Sequence, residues 1–271
     1  SEGFHLLDAH AARNSLRAAV VHPSFTEPEL ELRRAGVAVD RVLLPEPFRL
    51  DPALVPVSAD LVVVGNPTNP TSVLHPRDTL AALCREGRVT VVDEAFCDVV
   101  DDEAGHTLAG RDLPGLVVLR SLTKTWAVAG LRVGYAVGDP EVLADLAAHR
   151  PHWPLGTLQL EAIRACVGPE ADGHLAAITA QVRAERGEMV TRLRSAGITV
   201  AVEPEAPFVL VRTPAGVDPE EFRHGLLRRG VVPRRCDTFP GLDATYLRLA
   251  VRPGTMVDEL VRAWRALAEG E

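Results

Sequence analysis

No stretch of this 271-residue chain is apolar for long enough to cross a bilayer, which excludes a helical membrane span. The opening residues, Ser1-Glu2-Gly3-Phe4-His5, lack the basic and apolar regions of a secretory signal. They also lack an initiator methionine, so the expectation is a chain that is processed, trimmed or seen only in part. Cysteine is scarce: Cys84, Cys97, Cys166 and Cys236 form neither a CxxC pair nor a metal-ligand spacing. That pattern leads us to expect reduced thiols, a cytoplasmic setting and no bound metal. Positive charge is not in excess either. The net charge is −8 and the arginines are scattered, so nothing calls for nucleic acid or an anionic membrane surface. Internal repeats and low-complexity segments are absent.

What remains is ordinary globular material, 46% hydrophobic and 24% charged, enough for one large or two smaller domains. Short β-branched runs alternate with helical patterns. Strands are expected over 18–21, 37–44, 61–64, 89–92, 116–119 and 133–137, and helices over 28–35 and 77–86. Runs that are apolar throughout, rather than alternating, belong to a mostly parallel sheet covered on both faces, so the expected class is α/β. Ligands gather at the carboxyl ends of such strands. Asn66, Asp93 and Ser121 all fall there.

After Asp139-Pro140 the pattern changes. Helices are expected over 141–150, 157–167, 175–195 and 219–229, with a last one from 257. Strands are expected over 198–202, 208–212 and 246–251. This half reads as a smaller α+β domain. The expected division is 1–165 and 166–271, within a helical connection.

The most informative run is Arg120-Ser121-Leu122-Thr123-Lys124-Thr125-Trp126-Ala127-Val128-Ala129-Gly130-Leu131-Arg132-Val133-Gly134-Tyr135. An amine flanked by hydroxyls, with an arginine eight residues on, suits covalent attachment of a phosphorylated aldehyde. The amine is the nucleophile, and the hydroxyls and planar guanidinium can hold the phosphate. Asp93, at the end of a buried strand, needs a partner or serves as a helix N-cap. Arg248, inside the strand pattern Tyr246-Leu247-Arg248-Leu249-Ala250-Val251, calls for an anion.

The run resembles the lysine segment of fold-type I pyridoxal-phosphate (PLP) enzymes, class I/II aminotransferases, and most of all their histidinol-phosphate aminotransferase and threonine-phosphate decarboxylase branch. The order and spacing of Asn69, Asp93, Lys124–Arg132 and Arg248 carry the likeness across nearly the whole chain. The resemblance implies the aspartate aminotransferase-like fold and PLP as cofactor. It makes Lys124 the residue bonded to the cofactor aldehyde and Asp93 the partner of its ring nitrogen. It gives the phosphate to Ser121, Arg132 and Thr123, with Ser1 at the opening of a helix. Asn69, in Gly65-Asn66-Pro67-Thr68-Asn69-Pro70-Thr71, would hydrogen-bond the 3'-oxygen. Phe25, in His22-Pro23-Ser24-Phe25-Thr26-Glu27, matches the stacking aromatic and reads equally well as a core residue. Arg248 would clamp a substrate carboxylate or equivalent group, with Arg252 exposed beside it.

Three departures stand out. Ser72 follows Asn-Pro-Thr where the family usually has glycine. Phe96 stands where many aminotransferases carry tyrosine, as in the decarboxylase branch of cobalamin synthesis. Family members also carry an N-terminal arm that this chain starts after. The leading expectation is an aminotransferase working between a phosphorylated amino substrate, such as histidinol phosphate, and a 2-oxo acid, as a homodimer. Decarboxylation of threonine phosphate is the rival reaction. A non-catalytic PLP-binding subunit that needs a partner is the rival from another class.

Overall fold

The computed structural model describes residues 2–269. Six strands form the first sheet: β1 Ala18–His22, β2 Val39–Leu43, β3 Leu61–Gly65, β4 Val89–Asp93, β5 Leu116–Ser121 and β6 Gly134–Gly138. Their spatial order is β2-β1-β3-β4-β5-β6. Every pairing is parallel except that of β6, which runs antiparallel to β5 along the edge. This is the mostly parallel α/β arrangement the apolar runs call for. In β1 all five residues are buried, and in β3 and β4 the first four are. Each face of the sheet has its own core. One is built on Val62, Val64, Val92, Leu116 and Val118, the other on Val20, Leu61, Val63, Val91 and Val117, as alternation along a strand demands. The helices Glu2–Arg13, Glu27–Arg34 and Pro140–Ala148 cover the second face, through Phe4, Leu7, Leu32 and Leu146.

The helices Thr157–Val167 and Ala171–Ser195 lead to a second, antiparallel sheet of three strands. Its strands are β7 Phe208–Arg212, β8 Arg234–Arg235 and β9 Tyr246–Ala250, in the order β7-β9-β8. The helices Ala171–Ser195, Pro219–Arg228 and Gly254–Ala268 enclose it around Met189, Leu193, Val209, Phe222, Leu247 and Trp264. A smaller cluster, with Phe48 and Val73 against Leu210, Phe239 and Tyr246, joins the second sheet to the first region. No described helix is long and apolar enough to cross a membrane.

Several boundaries differ from the sequence reading for local reasons. The helix expected over 77–86 stops after Arg77–Ala81. After Ala82 the backbone N–H groups turn to i−3 carbonyls, Leu83 N to Leu80 O and Cys84 N to Ala81 O, each at 3.0 Å, so the α-helical ladder gives way to tighter turns. The strand expected over 198–202 reduces to one bridge, Val200 to Val211. β8 gave no apolar signal because it is two exposed arginines long.

Candidate active site

A cavity of about 660 Å³ opens at the carboxyl ends of β1, β3, β4 and β5, within the range of roughly 300–1,000 Å³ usual for small-molecule sites. Phe25, Asn69, Asp93, Ser121, Thr123, Lys124 and Arg132 all line it. Residues spread over more than a hundred positions of sequence are thus brought together by the strand ends. Ser1 lies outside the described residues; its neighbours Glu2 and Gly3 open the first helix and border the cavity. Asn66 does not face it. Its Oδ1 accepts from the His75 N–H at 2.7 Å, and its own N–H donates to the Asp93 carbonyl at 2.8 Å, so it braces the strand end that carries Asp93.

Asp93 closes β4, and its carboxylate accepts only the Ala95 N–H, at 3.2 Å, among its described partners. Burial raises its carboxyl from the usual 3.8 to about 6, against the Ala95 hydrogen bond and the Lys124 charge. An acid so desolvated and so little bonded suits a cationic ring N–H. Lys124 sits in the single turn Leu122–Thr125, directly after β5. Its side chain is exposed to the cavity, with Nζ 5.8 Å from the Phe96 ring centre. Ser121 and Thr123 hydroxyls lie 2.8 Å apart. Arg132 takes a left-handed backbone (φ 53°), rare for a residue with a side chain, and donates through Nη1 to the Ala129 carbonyl at 3.1 Å. Phe25 is 38% exposed, with Phe4 6.4 Å away, so it is not a core residue: its ring faces the cavity with support behind it.

Arg248 stands one layer back. It does not line the cavity itself but donates through Nη1 to Asn69 Oδ1 at 2.5 Å and lies 5.1 Å over the Phe208 ring. A guanidinium only donates, so the Asn69 oxygen is committed to Arg248 and its amide N–H₂ is left for a ligand. Phe208 meets Phe96 edge-on at 5.2 Å, so the second sheet touches the lysine end of the cavity as well. Among the described residues no carboxylate pairs with Arg248, whose pKa burial lowers, with the Arg234 charge also opposing ionisation. Among the described residues Arg252 hydrogen-bonds only the Val251 carbonyl, in keeping with a peripheral place.

Sequence reasoning missed three features. Arg234 is the cross-strand partner of Arg248 in the β8–β9 register, a second cation with no described carboxylate. Arg120, beside Ser121, is buried among the carboxylates of Glu94, Asp98 and Glu103 at 2.9, 2.7 and 2.6 Å. Arg120 and Glu94, each adjacent to a singled-out residue, were charged groups at the ends of buried strands, a signal that was there to read. The third was plainer still: Lys124 is the only lysine in the chain, every other long cation being arginine.

The donor set fits the cofactor implied by the sequence. There is an acid for a ring nitrogen, one amine for an aldehyde, hydroxyls and a guanidinium for a phosphate, an amide for a ring oxygen and an aromatic face for stacking.

The family model for class I and II aminotransferases matches residues 22–267. A histidinol-phosphate aminotransferase of Mycobacterium tuberculosis is 55% identical, over 93% of this chain and 67% of its own length. A threonine-phosphate decarboxylase of Salmonella typhimurium is 29% identical, over 94% of this chain and 71% of its own. Among solved structures, the histidinol-phosphate aminotransferase from Clostridium acetobutylicum superposes with a TM-score of 0.89 at 24% identity, covering 100% of this chain and 82% of that one. Aspartate aminotransferase from Thermus thermophilus with maleate gives 0.82 at 22%, covering 99% and 73%. At those identities the superpositions speak for the fold.

Proposed function

The chain belongs to the class I and II aminotransferases, PLP-dependent enzymes, and from that premise we propose that its amino substrate carries a phosphate, as histidinol phosphate does. The observation that carries the proposal is the pair Arg234 and Arg248, opposite one another on β8 and β9 with no described carboxylate for either. Two like charges held this close are unfavourable alone and favourable around a dianion. The 55% identity with a protein named histidinol-phosphate aminotransferase points the same way.

When bound, PLP supplies an aldehyde that takes up an amine and a protonated ring that draws electrons from the bond broken at the substrate Cα. The chain's residues do the rest. Asp93, ionised at neutral pH and poorly solvated, holds the proton on the ring nitrogen. Ser121, Thr123 and Arg132 hold the phosphate end, and Phe25 stacks on one ring face. Asn69, its oxygen fixed by Arg248, donates its amide N–H to the ring oxygen. Lys124, whose amine reaches the same cavity, would serve as the general base for the Cα proton. Arg248 and Arg234, just behind the cavity wall at Asn69, would draw the substrate's anionic group to that end of the site and so bias which Cα bond is broken.

Phe96 favours a second reading, decarboxylation of threonine phosphate, because it lacks the hydroxyl of the usual tyrosine and packs on Phe208 instead. The test is a rate comparison. Amino transfer to 2-oxoglutarate from histidinol phosphate should exceed that from histidinol by 100-fold or more, on the order of two charge-assisted hydrogen bonds. Equal rates sink the phosphate proposal, and carbon dioxide release from threonine phosphate without amino transfer replaces it with the second reading.

The exposed apolar side chains Trp153 (95%) and Leu158 (72%) support a homodimer, measurable by light scattering. The four free cysteines support a reducing, cytoplasmic setting. The separate clusters around the two sheets support a division near residue 165, which limited proteolysis would locate.

A further inference from the structure

The turn that carries Lys124 is poorly equipped to hold itself. It is one helical turn, Leu122–Thr125, and its flanking backbone bonds are long: Leu122 N to Val133 O at 3.3 Å, Trp126 N to Leu122 O at 3.4 Å and Ala127 N to Lys124 O at 3.2 Å. A shorter tie comes from a side chain. Thr125 Oγ1 donates to Asp98 Oδ2 at 3.0 Å, and the other oxygen of that carboxylate accepts from Arg120 Nη1 at 2.7 Å. Arg120 Nη2 in turn meets Glu94 Oε2 at 2.9 Å, and Thr107 Oγ1 donates to the same Glu94 oxygen at 2.6 Å. Glu94 follows Asp93, and its N–H donates to the Leu119 carbonyl of β5 at 2.9 Å. Asp98 is held from the opposite side as well, its carbonyl accepting from Thr179 Oγ1 at 3.0 Å.

A continuous chain of bonds thus runs from the neighbour of Asp93, through a buried guanidinium, to the neighbour of Lys124. We propose that Arg120, acting through Asp98 and Thr125, is the positioning residue that sets where Lys124 stands relative to Asp93. Arginine suits the task because its planar fork joins several carboxylates in one fixed geometry, which a lysine ammonium cannot do. The inference rests on the PLP reading of the site for its consequence, though not for the clamp itself.

The decisive variant is Thr125→Val, which keeps side-chain shape, leaves Arg120 and its carboxylates intact and removes one hydrogen bond. Arg120→Met and Arg120→Lys accompany it. Three readouts apply: amide hydrogen exchange of residues 122–126 in the cofactor-free protein, PLP affinity by absorbance titration, and the pH midpoint of the absorbance of lysine-bound PLP. In T125V we expect exchange at 122–126 to rise and PLP affinity to fall, each by roughly tenfold, the size of one hydrogen bond. The absorbance midpoint moves, and the melting temperature falls by no more than the roughly 2–4 °C that one hydrogen bond is worth. R120M shows the same signature more strongly, and R120K recovers part of it. The proposal is overturned if T125V keeps the parent's exchange, affinity and midpoint, or if a folded R120M changes the melting temperature alone. Should the parent form no lysine-bound absorbance, the cofactor reading fails instead, and hydrogen exchange still decides the clamp.

Discussion

Replacing Asp93 by asparagine should make the cofactor-free protein more stable at neutral pH, although it removes a residue the site depends on. Burial lifts the Asp93 carboxyl from 3.8 to about 6. A carboxyl with a raised pKa holds its proton more tightly folded than unfolded, so keeping it ionised in the fold is unfavourable. Below about pH 4 both states are protonated and the penalty vanishes. It grows between pH 4 and 6 and is complete above. Each pKa unit is worth about 1.4 kcal/mol, so the penalty at pH 8 is about 3 kcal/mol, and near pH 5 it is roughly half that. Asparagine is neutral throughout, and its side-chain oxygen can still accept the Ala95 N–H that Asp93 accepts. Urea denaturation of the cofactor-free D93N and parent proteins at pH 5 and pH 8 should therefore show a gain for D93N that about doubles at the higher pH. On heating at pH 8, the gain should be on the order of 5–10 °C. With PLP present the order should reverse, because the parent gains binding energy that the variant loses. A D93N protein no more stable than the parent at pH 8, or a gain independent of pH, refutes the claim that Asp93 is held ionised at a desolvation penalty.

Other substitutions have definite expected outcomes. Arg248→Met should raise KM for a phosphorylated amine by roughly 10- to 100-fold, as expected for a charge-assisted contact, and should also weaken PLP binding by releasing Asn69; steady-state kinetics and cofactor titration check the two effects. Arg234→Met should narrow the preference for phosphorylated over unphosphorylated substrate while leaving PLP affinity unchanged, a split visible in paired kcat/KM measurements. Gly134→Ala should destabilise the fold by about 1–3 kcal/mol in chemical denaturation, because its Cβ would stand 2.5 Å from the Arg120 carbonyl oxygen across the β5–β6 pair. Phe96→Tyr should raise PLP affinity by several-fold if its new hydroxyl reaches the ring oxygen, and an unchanged titration would show that it does not.

The large sheet was legible because its strands are buried on both faces and therefore read as unbroken apolar runs, as at 61–64 and 89–92. The same logic located Asp93 and Ser121 at carboxyl ends, where the cavity lies. It put Asn66 at a strand end as well, and there Asn66 braces the backbone instead of lining the cavity, since a polar residue at a strand end serves the backbone as readily as a ligand. β8 escaped because two exposed arginines have no periodicity, and with it went Arg234, whose importance exists only across a strand pairing. The Arg120 network is a product of packing. Glu94, Asp98, Glu103 and Thr107 are separated in sequence from Arg120 by 13 to 26 positions, and no local pattern joins them to it. Phe25, which the sequence left between a stacking and a core role, is 38% exposed and lines the cavity.

The account stands or falls on Lys124 as the amine that takes up PLP. The chain makes this unusually clean to measure, because no other side chain offers an ε-amine. The protein is incubated with PLP, reduced with borohydride, digested and examined by mass spectrometry. One reduced pyridoxyl-phosphate addition on the peptide containing Lys124, absent from Lys124→Ala, is the predicted result. An unmodified Lys124 peptide, or an adduct that survives in Lys124→Ala, would contradict the site.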